Sequence, residues 1–204
     1  MENVASLNYK KVRISHWDKI ARVTVLHKGL GGYYHRILEE IYKTIVAPGQ
    51  RVMEIGCGTG ELLAALKPST GLGIDFSNEM LILAKEHHPE LYFLNSDIQE
   101  FESKEKFDVI ILSDLINDIW DVQLAFDHIK PLTLPQTRVI LNYHSNLWEQ
   151  PLRIAQRLGL VKSKLPQNWL TTEDVLNLLY LSDFEIIRKW EEILCPLHIP
   201  LVDT

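Results

Sequence analysis

The sequence predicts an α/β fold in which a mostly parallel sheet is covered by helices on both faces. Three observations carry this expectation. From Val52 to Tyr143, short apolar runs alternate with segments of helical period, the rhythm of successive strand–helix units. The run Val52-Met53-Glu54-Ile55-Gly56-Cys57-Gly58-Thr59-Gly60-Glu61-Leu62-Leu63 reads as a strand, a turn with glycines at alternate positions, and a helix start. Phe107–Ser113 is nearly continuous in apolar residues (Val109, Ile110, Ile111, Leu112), as expected of a strand buried on both faces.

Taken in order, the elements begin irregularly. His16–His27 is one amphipathic stretch, Gly29, Gly31 and Gly32 break it, and Tyr33–Val46 resumes at helical spacing before Pro48-Gly49. Val52–Ile55 is the first strand, Glu61–Leu66 a helix and Gly71–Asp75 the second strand. Ser77 caps a helix over Asn78–His87, which Pro89 stops; Leu91–Asn95 is the third strand and Phe107–Ser113 the fourth. A helix near Val122–Ile129 leads to the fifth strand, Arg138–Tyr143. Leu147–Leu158 has helical spacing, Lys162–Trp169 is a loop, and Thr171-Thr172-Glu173-Asp174 caps a helix through Leu181. Phe184–Ile193 reads as a last strand, before Pro196 and Pro200.

At 204 residues, with 46% hydrophobic and 24% charged positions, the chain is expected to be a single globular domain, 1–204, with a substantial core. A net charge of -6 argues against broad contact with nucleic acid or an anionic membrane, although Lys10, Lys11 and Arg13 cluster near the start. The two cysteines, Cys57 and Cys195, have no metal-ligand spacing, so no metal is expected. Met1-Glu2-Asn3-Val4 begins no signal peptide and no apolar run reaches membrane-spanning length, which predicts a cytoplasmic location.

The chemistry concentrates in the glycine turn. Alternate glycines permit positive φ and close approach of a ligand to the backbone. Glu54, two positions before Gly56, disfavours a phosphate and suits a cation, which points to S-adenosylmethionine with its positive amino group and sulfonium. The competing dinucleotide fingerprint needs a small third residue where Glu61 stands, and a carboxylate there would oppose a pyrophosphate at the helix start. Ligands of open α/β sheets bind beyond the carboxyl ends of the strands. There Asp75 can accept the hydroxyls of a ribose, Asp97 can accept an adenine amino group, and Ile98 can cover the ring.

Glu54-Ile55-Gly56-Cys57-Gly58-Thr59-Gly60, Gly73-Ile74-Asp75-Phe76-Ser77, Ser96-Asp97 and Phe107-Asp108-Val109-Ile110-Ile111 together resemble the class I S-adenosylmethionine-dependent methyltransferases, over about residues 48–145. The resemblance implies the Rossmann-like fold of that class and a glycine loop around the methionyl portion of the cofactor. It places Asp75 on the ribose, Asp97 with Ile98 at the adenine, and Phe76 and Met80 as apolar neighbours. Glu54, Gly56, Cys57, Gly58, Gly60, Ser77 and Ser113 complete the expected cofactor site, with Tyr33 as a lid residue; S-adenosylhomocysteine would be the product. Residues 1–47 would form a helical cap and 146–204 the acceptor side. Gly31-Gly32-Tyr33-Tyr34-His35-Arg36 and Asn142-Tyr143-His144-Ser145-Asn146-Leu147-Trp148-Glu149 are similar to a bacterial subgroup found beside or fused to glycosyltransferases, which implies such a partner. The chain departs from the class at its end: nothing strand-like follows Ile193, so either the sheet is one strand short or the chain is a fragment, and the bare edge would be paired or covered.

Methyl transfer from a sulfonium needs above all an acceptor held in line, and a hydroxyl acceptor gains from a base. The candidates are His144, His35 and Asp114, with Asp118 as a further carboxylate; Asn117 and Asp118 also suit a helix cap. Trp148 and Trp169 could line an acceptor pocket. Ser113-Asp114-Leu115-Ile116 lacks the paired prolines of amino-methylating nucleic-acid enzymes, and neither cysteine is placed for attack on a cytosine carbon. A small-molecule or glycan acceptor, methylated on oxygen by a monomer or homodimer, is the favoured expectation. A non-catalytic cofactor-binding accessory protein and a nucleotide-dependent oxidoreductase are the alternatives.

Overall fold

A computed structural model describes residues 4–24, 32–150, 153–154 and 165–191. Two helices, α1 (Val4–Thr24) and α2 (Gly32–Ile45), precede the sheet. The alternation then runs β1 (Arg51–Ile55), α3 (Glu61–Ala65), β2 (Thr70–Asp75), α4 (Asn78–His87), β3 (Tyr92–Asn95), β4 (Val109–Ser113), α5 (Val122–Ile129), β5 (Arg138–Asn142) and α6 (Thr172–Leu181). The five strands are all parallel, in the order β3-β2-β1-β4-β5. Chain order therefore reverses at β1, which opens a crevice beyond the carboxyl ends of β1 and β4, where such sheets bind ligands.

Strand periodicity divides the core into two layers. Met53, Ile55, Ile110 and Leu112 face one side and pack with Ala125, Phe126 and Ile129 of α5 and Val175 and Leu179 of α6. Val52, Val109 and Ile111 face the other, against Leu38 and Tyr42 of α2, Leu63 of α3 and Leu81 and Ala84 of α4. β4 is buried at Val109–Leu112, as its apolar run requires. Among the described residues no helix is long and apolar enough to cross a membrane.

Three expectations change. α1 starts at Val4, not His16. Its hold on the molecule is polar: Lys10 pairs with Asp97 at 3.4 Å, Arg13 with Asp118 at 3.5 Å, and Asp18 Oδ1 accepts from Ser77 Oγ at 2.6 Å. Hydrophobic periodicity cannot register such contacts. Phe184–Ile193 forms no strand over its described part, 184–191. A left-handed residue at Asp183 (φ 56°) turns the chain after α6, Lys130 Nζ donates to the Asp183 carbonyl at 2.7 Å, and Phe184 lies edge-on to Phe126. Residues 185–191 are then exposed, and among the described residues β5, half-buried throughout, is a sheet edge. Of Leu147–Leu158, Leu147 and Trp148 close a 3-10 turn (Asn146–Trp148), residues 149–150 and 153–154 are helical and the rest lie outside the described set, as do residues 162–164 of the expected loop and all of Cys195, Pro196 and Pro200.

Candidate active site

The glycine turn links β1 to α3 with Gly56, Gly58 and Gly60 at φ 71°, 52° and 79°, a conformation that L side chains rarely adopt. The amides of Gly56 and Cys57 donate to the Ile74 carbonyl at 2.8 and 3.1 Å, and Gly60 N donates to Cys57 O at 2.9 Å. A Cβ at Gly60 would stand 2.7 Å from Phe93 Cζ, whereas one at Gly58 would meet nothing within 4 Å. The tip of the turn thus opens on free space. Asp75 fixes it there: its Oδ2 accepts from Gly58 N at 2.9 Å and its Oδ1 from Ser77 N at 2.8 Å. Burial still pushes the Asp75 carboxyl above its ordinary range, against those two hydrogen bonds.

Glu54 lies beneath the turn, 3% exposed. Burial raises its carboxyl from 4.5 to about 8; the Leu63 amide opposes that rise and the neighbouring Asp75 adds to it. Its Oε2 is buried with no hydrogen-bond partner. An orphaned carboxylate oxygen under an open glycine turn fits an ammonium group and would repel a phosphate. Cys57, also buried, has its thiol pushed well up by burial and by the adjacent carboxylates, which leaves it an inert wall of the turn.

Further along the crevice, Ser77 is fully buried and caps α4 by accepting from Met80 N, as expected. Met80 is 7% exposed and Phe76 half-buried. Ile98, 4% exposed, is part of the core layer below. Asp97 accepts from Gln99 N at 3.0 Å and pairs with Lys10, so a turn role and an ion pair both engage it. Ser113 closes β4 opposite Asn142. Tyr33 falls in the first turn of α2, with its side chain outside the described set.

Beyond β4 and β5 a polar cluster gathers that spacing alone does not reveal. Asp114 takes φ 53°, strained for a non-glycine residue. Tyr34 OH donates to both of its oxygens, at 2.9 and 2.7 Å, and Asn142 Nδ2 donates to Oδ1 at 2.6 Å. Tyr42 OH in turn donates to Asn142 Oδ1 at 2.8 Å. Burial and the Asp114 charge push both tyrosine hydroxyls well above their usual pKa, so they stay protonated donors. The i, i+4, i+8 stripe Tyr34–Leu38–Tyr42 on α2 is the signal that could have found them. The Tyr34 ring also lies beside His144, centroids 6.2 Å apart.

Asn117 is fully buried and does not cap α5. Its Nδ2 donates to His144 O at 3.0 Å and Asn168 O at 2.8 Å, and its Oδ1 accepts from His144 N at 3.0 Å. Asp121 is the α5 cap, accepting from Leu124 N, while Asp118 faces Arg13. The structure therefore brings Asp114 and His144 together around Tyr34 and leaves His35 exposed, its ring edge-on to Tyr34. Trp169 is half-buried; the Trp148 side chain lies outside the described set.

A family model described as a methyltransferase domain matches residues 47–192. Putative methyltransferase 235L of invertebrate iridescent virus 6 is 31% identical over 88 residues, 41% of this chain and 33% of that protein. Ubiquinone biosynthesis O-methyltransferase of Rhodopseudomonas palustris is 24% identical over 179 residues, 79% of this chain and 68% of that one. This chain spans about a third to two thirds of the length of these curated relatives. In fold it is similar to magnesium protoporphyrin IX methyltransferase of Synechocystis with bound SAH, at a TM-score of 0.71 and 17% identity, covering 88% of this chain and 91% of that one.

Proposed function

This chain belongs to the class I S-adenosylmethionine-dependent methyltransferase family, and on that premise we propose that it methylates a hydroxyl oxygen of a small-molecule or glycan acceptor. The cofactor supplies a methyl group on a sulfonium, whose carbon–sulfur bond breaks as the acceptor oxygen bonds to carbon. Glu54, with its orphaned Oε2, would receive the cofactor's amino group, and the turn at Gly56, Gly58 and Gly60 its methionyl backbone. Asp75 would meet the ribose, and Asp97, Ile98, Phe76 and Met80 the adenine side.

The observation that carries the acceptor reading is the Tyr34–Asp114–Asn142 cluster at the ends of β4 and β5. Three donor contacts already engage the Asp114 carboxylate, so its role is to orient: it fixes Tyr34 and polarises the floor of the acceptor pocket. His144, whose backbone Asn117 clamps on both sides, would take the proton from the acceptor hydroxyl. Residues 1–47 would then serve as the cap, 48–145 as the cofactor core and 146–204 as the acceptor side. The O-methyltransferase name of the Rhodopseudomonas relative favours oxygen. A glycosyltransferase partner draws no support from these relatives.

Calorimetry with S-adenosylmethionine, S-adenosylhomocysteine and NAD should give binding for the first two alone. Turnover of methyl-labelled cofactor against a panel of phenols, sugars and hydroxy acids should then identify acceptors. For any acceptor found, His144→Ala should lower kcat about 10²- to 10⁴-fold with cofactor affinity unchanged. Cofactor binding without turnover on any acceptor would favour the accessory reading; no cofactor binding would overturn both.

A further inference from the structure

Beside the glycine turn, Glu61, His87 and His88 converge at the surface. Glu61 opens α3 directly after Gly60, while His87 ends α4 and His88 is its C-cap. Their ligand atoms all lie within 4.8 Å of one another. One carboxylate oxygen faces each imidazole: His87 Nδ1 is 3.3 Å from Glu61 Oε1, and His88 Nε2 is 3.3 Å from Glu61 Oε2.

We propose that Glu61, His87 and His88 form a divalent transition-metal site of the zinc class that ties the start of α3 to the end of α4. Four features argue for it. Zinc–nitrogen and zinc–oxygen bonds of about 2.1 Å hold two ligands of one tetrahedral centre about 3.4 Å apart, so an ion would replace the His87 Nδ1–Glu61 Oε1 hydrogen bond and the His88 Nε2–Glu61 Oε2 contact, each 3.3 Å, with little movement. His88 Nε2 is buried yet makes no hydrogen bond, although Glu61 Oε2 lies 3.3 Å away; a shared cation would satisfy both atoms. The other nitrogen of the same ring, Nδ1, lies 3.9 Å from Glu90 Oε1, too long for a hydrogen bond, and this second nearby carboxylate adds negative charge that favours a cation. Two imidazoles and one carboxylate suit zinc, nickel or copper, whereas magnesium and calcium prefer oxygen alone.

The Glu61 and His87 side chains are about half exposed or more, which leaves the remaining coordination position to water. The position also matters. His88 Cδ2 would lie 3.4 Å from a Cβ at Gly60, so the ring packs against the last glycine of the cofactor turn. An ion bridging the two helices would brace that turn from outside.

The test uses the metal-stripped protein and zinc chloride alone, read by calorimetry and thermal melting. The expected result is one saturable zinc per chain and a rise in Tm of about 5–10 °C at a hundredfold excess over Kd, with no response to magnesium. His87→Ala alters an exposed side chain, so the variant should stay folded and bind S-adenosylmethionine normally while zinc affinity falls at least about tenfold. His88→Ala should do the same, and His87→Ala alone decides if that second variant fails to fold. No saturable zinc uptake, or zinc binding by the folded His87→Ala variant equal to that of the parent, would overturn the proposal.

Discussion

Replacing Glu54 with glutamine removes the ionisable carboxyl beneath the glycine turn and preserves its shape. In the free protein the Glu54 carboxyl sits near 8, against 4.5 when unburied. That gap corresponds to roughly 5 kcal/mol favouring the protonated form in the folded state. The folded chain therefore binds more protons than the unfolded chain between those two values. Its contribution to stability is complete below pH 4.5 and is lost as pH rises through about 8. An ammonium group reverses the preference, because it stabilises the carboxylate. Binding of S-adenosylmethionine at pH 7 should therefore expel a proton, and affinity should climb with pH until about 8. A charge-assisted hydrogen bond contributes about 1.5–3 kcal/mol, so Glu54→Gln should weaken binding about 10- to 150-fold at pH 8.5. Titrations at pH 7 in two buffers of different ionisation enthalpy count the proton, which should vanish in the variant. The same substitution should flatten the fall in Tm of the free protein between pH 5 and about 8. Equal cofactor affinity in variant and parent, or unchanged proton release, would refute the assignment of Glu54 to the amino group.

Asp75→Asn keeps the side chain's size but loses acceptor strength toward Gly58 N and Ser77 N, so cofactor affinity should fall at least about tenfold by calorimetry while the circular dichroism spectrum holds. Gly73→Ala places a methyl group 2.7 Å from both Cys57 Sγ and Phe93 Cδ1 in the middle of β2; urea unfolding should report a loss of about 1–3 kcal/mol. Asn117→Ala strands the backbone groups of His144 and Asn168, and should cost about 1–3 kcal/mol while raising acceptor KM more than cofactor Kd.

Much of the fold could be read from periodicity because β1, β2, β4 and α4, Glu54 apart, are apolar where they are buried and end in, or are soon followed by, glycine, serine or proline. The cofactor half of the candidate site could be read for a related reason. Its residues lie at the strand ends, and a glycine turn at positive φ leaves a local mark in the sequence. α1 was half missed because its anchors, Lys10, Arg13 and Asp18, are polar partners on distant segments. The strand expected from Phe184 onward was misread because alternation alone cannot supply a pairing edge, and a left-handed residue at Asp183 turns the chain after α6.

What the sequence by itself determined is the order of strands and helices from β1 to β5, the glycine turn, and the carboxylates Glu54, Asp75 and Asp97 on or just after β1, β2 and β3. All of these rest on local spacing and residue type. Only the tertiary structure decided that Tyr34, Asp114 and Asn142 form one hydrogen-bonded cluster, that buried Asn117 holds His144, and that Glu61 meets His87 and His88. Those groups come from segments 26 to 108 residues apart. Their meeting depends on how the layers stack across the sheet, which no local pattern encodes.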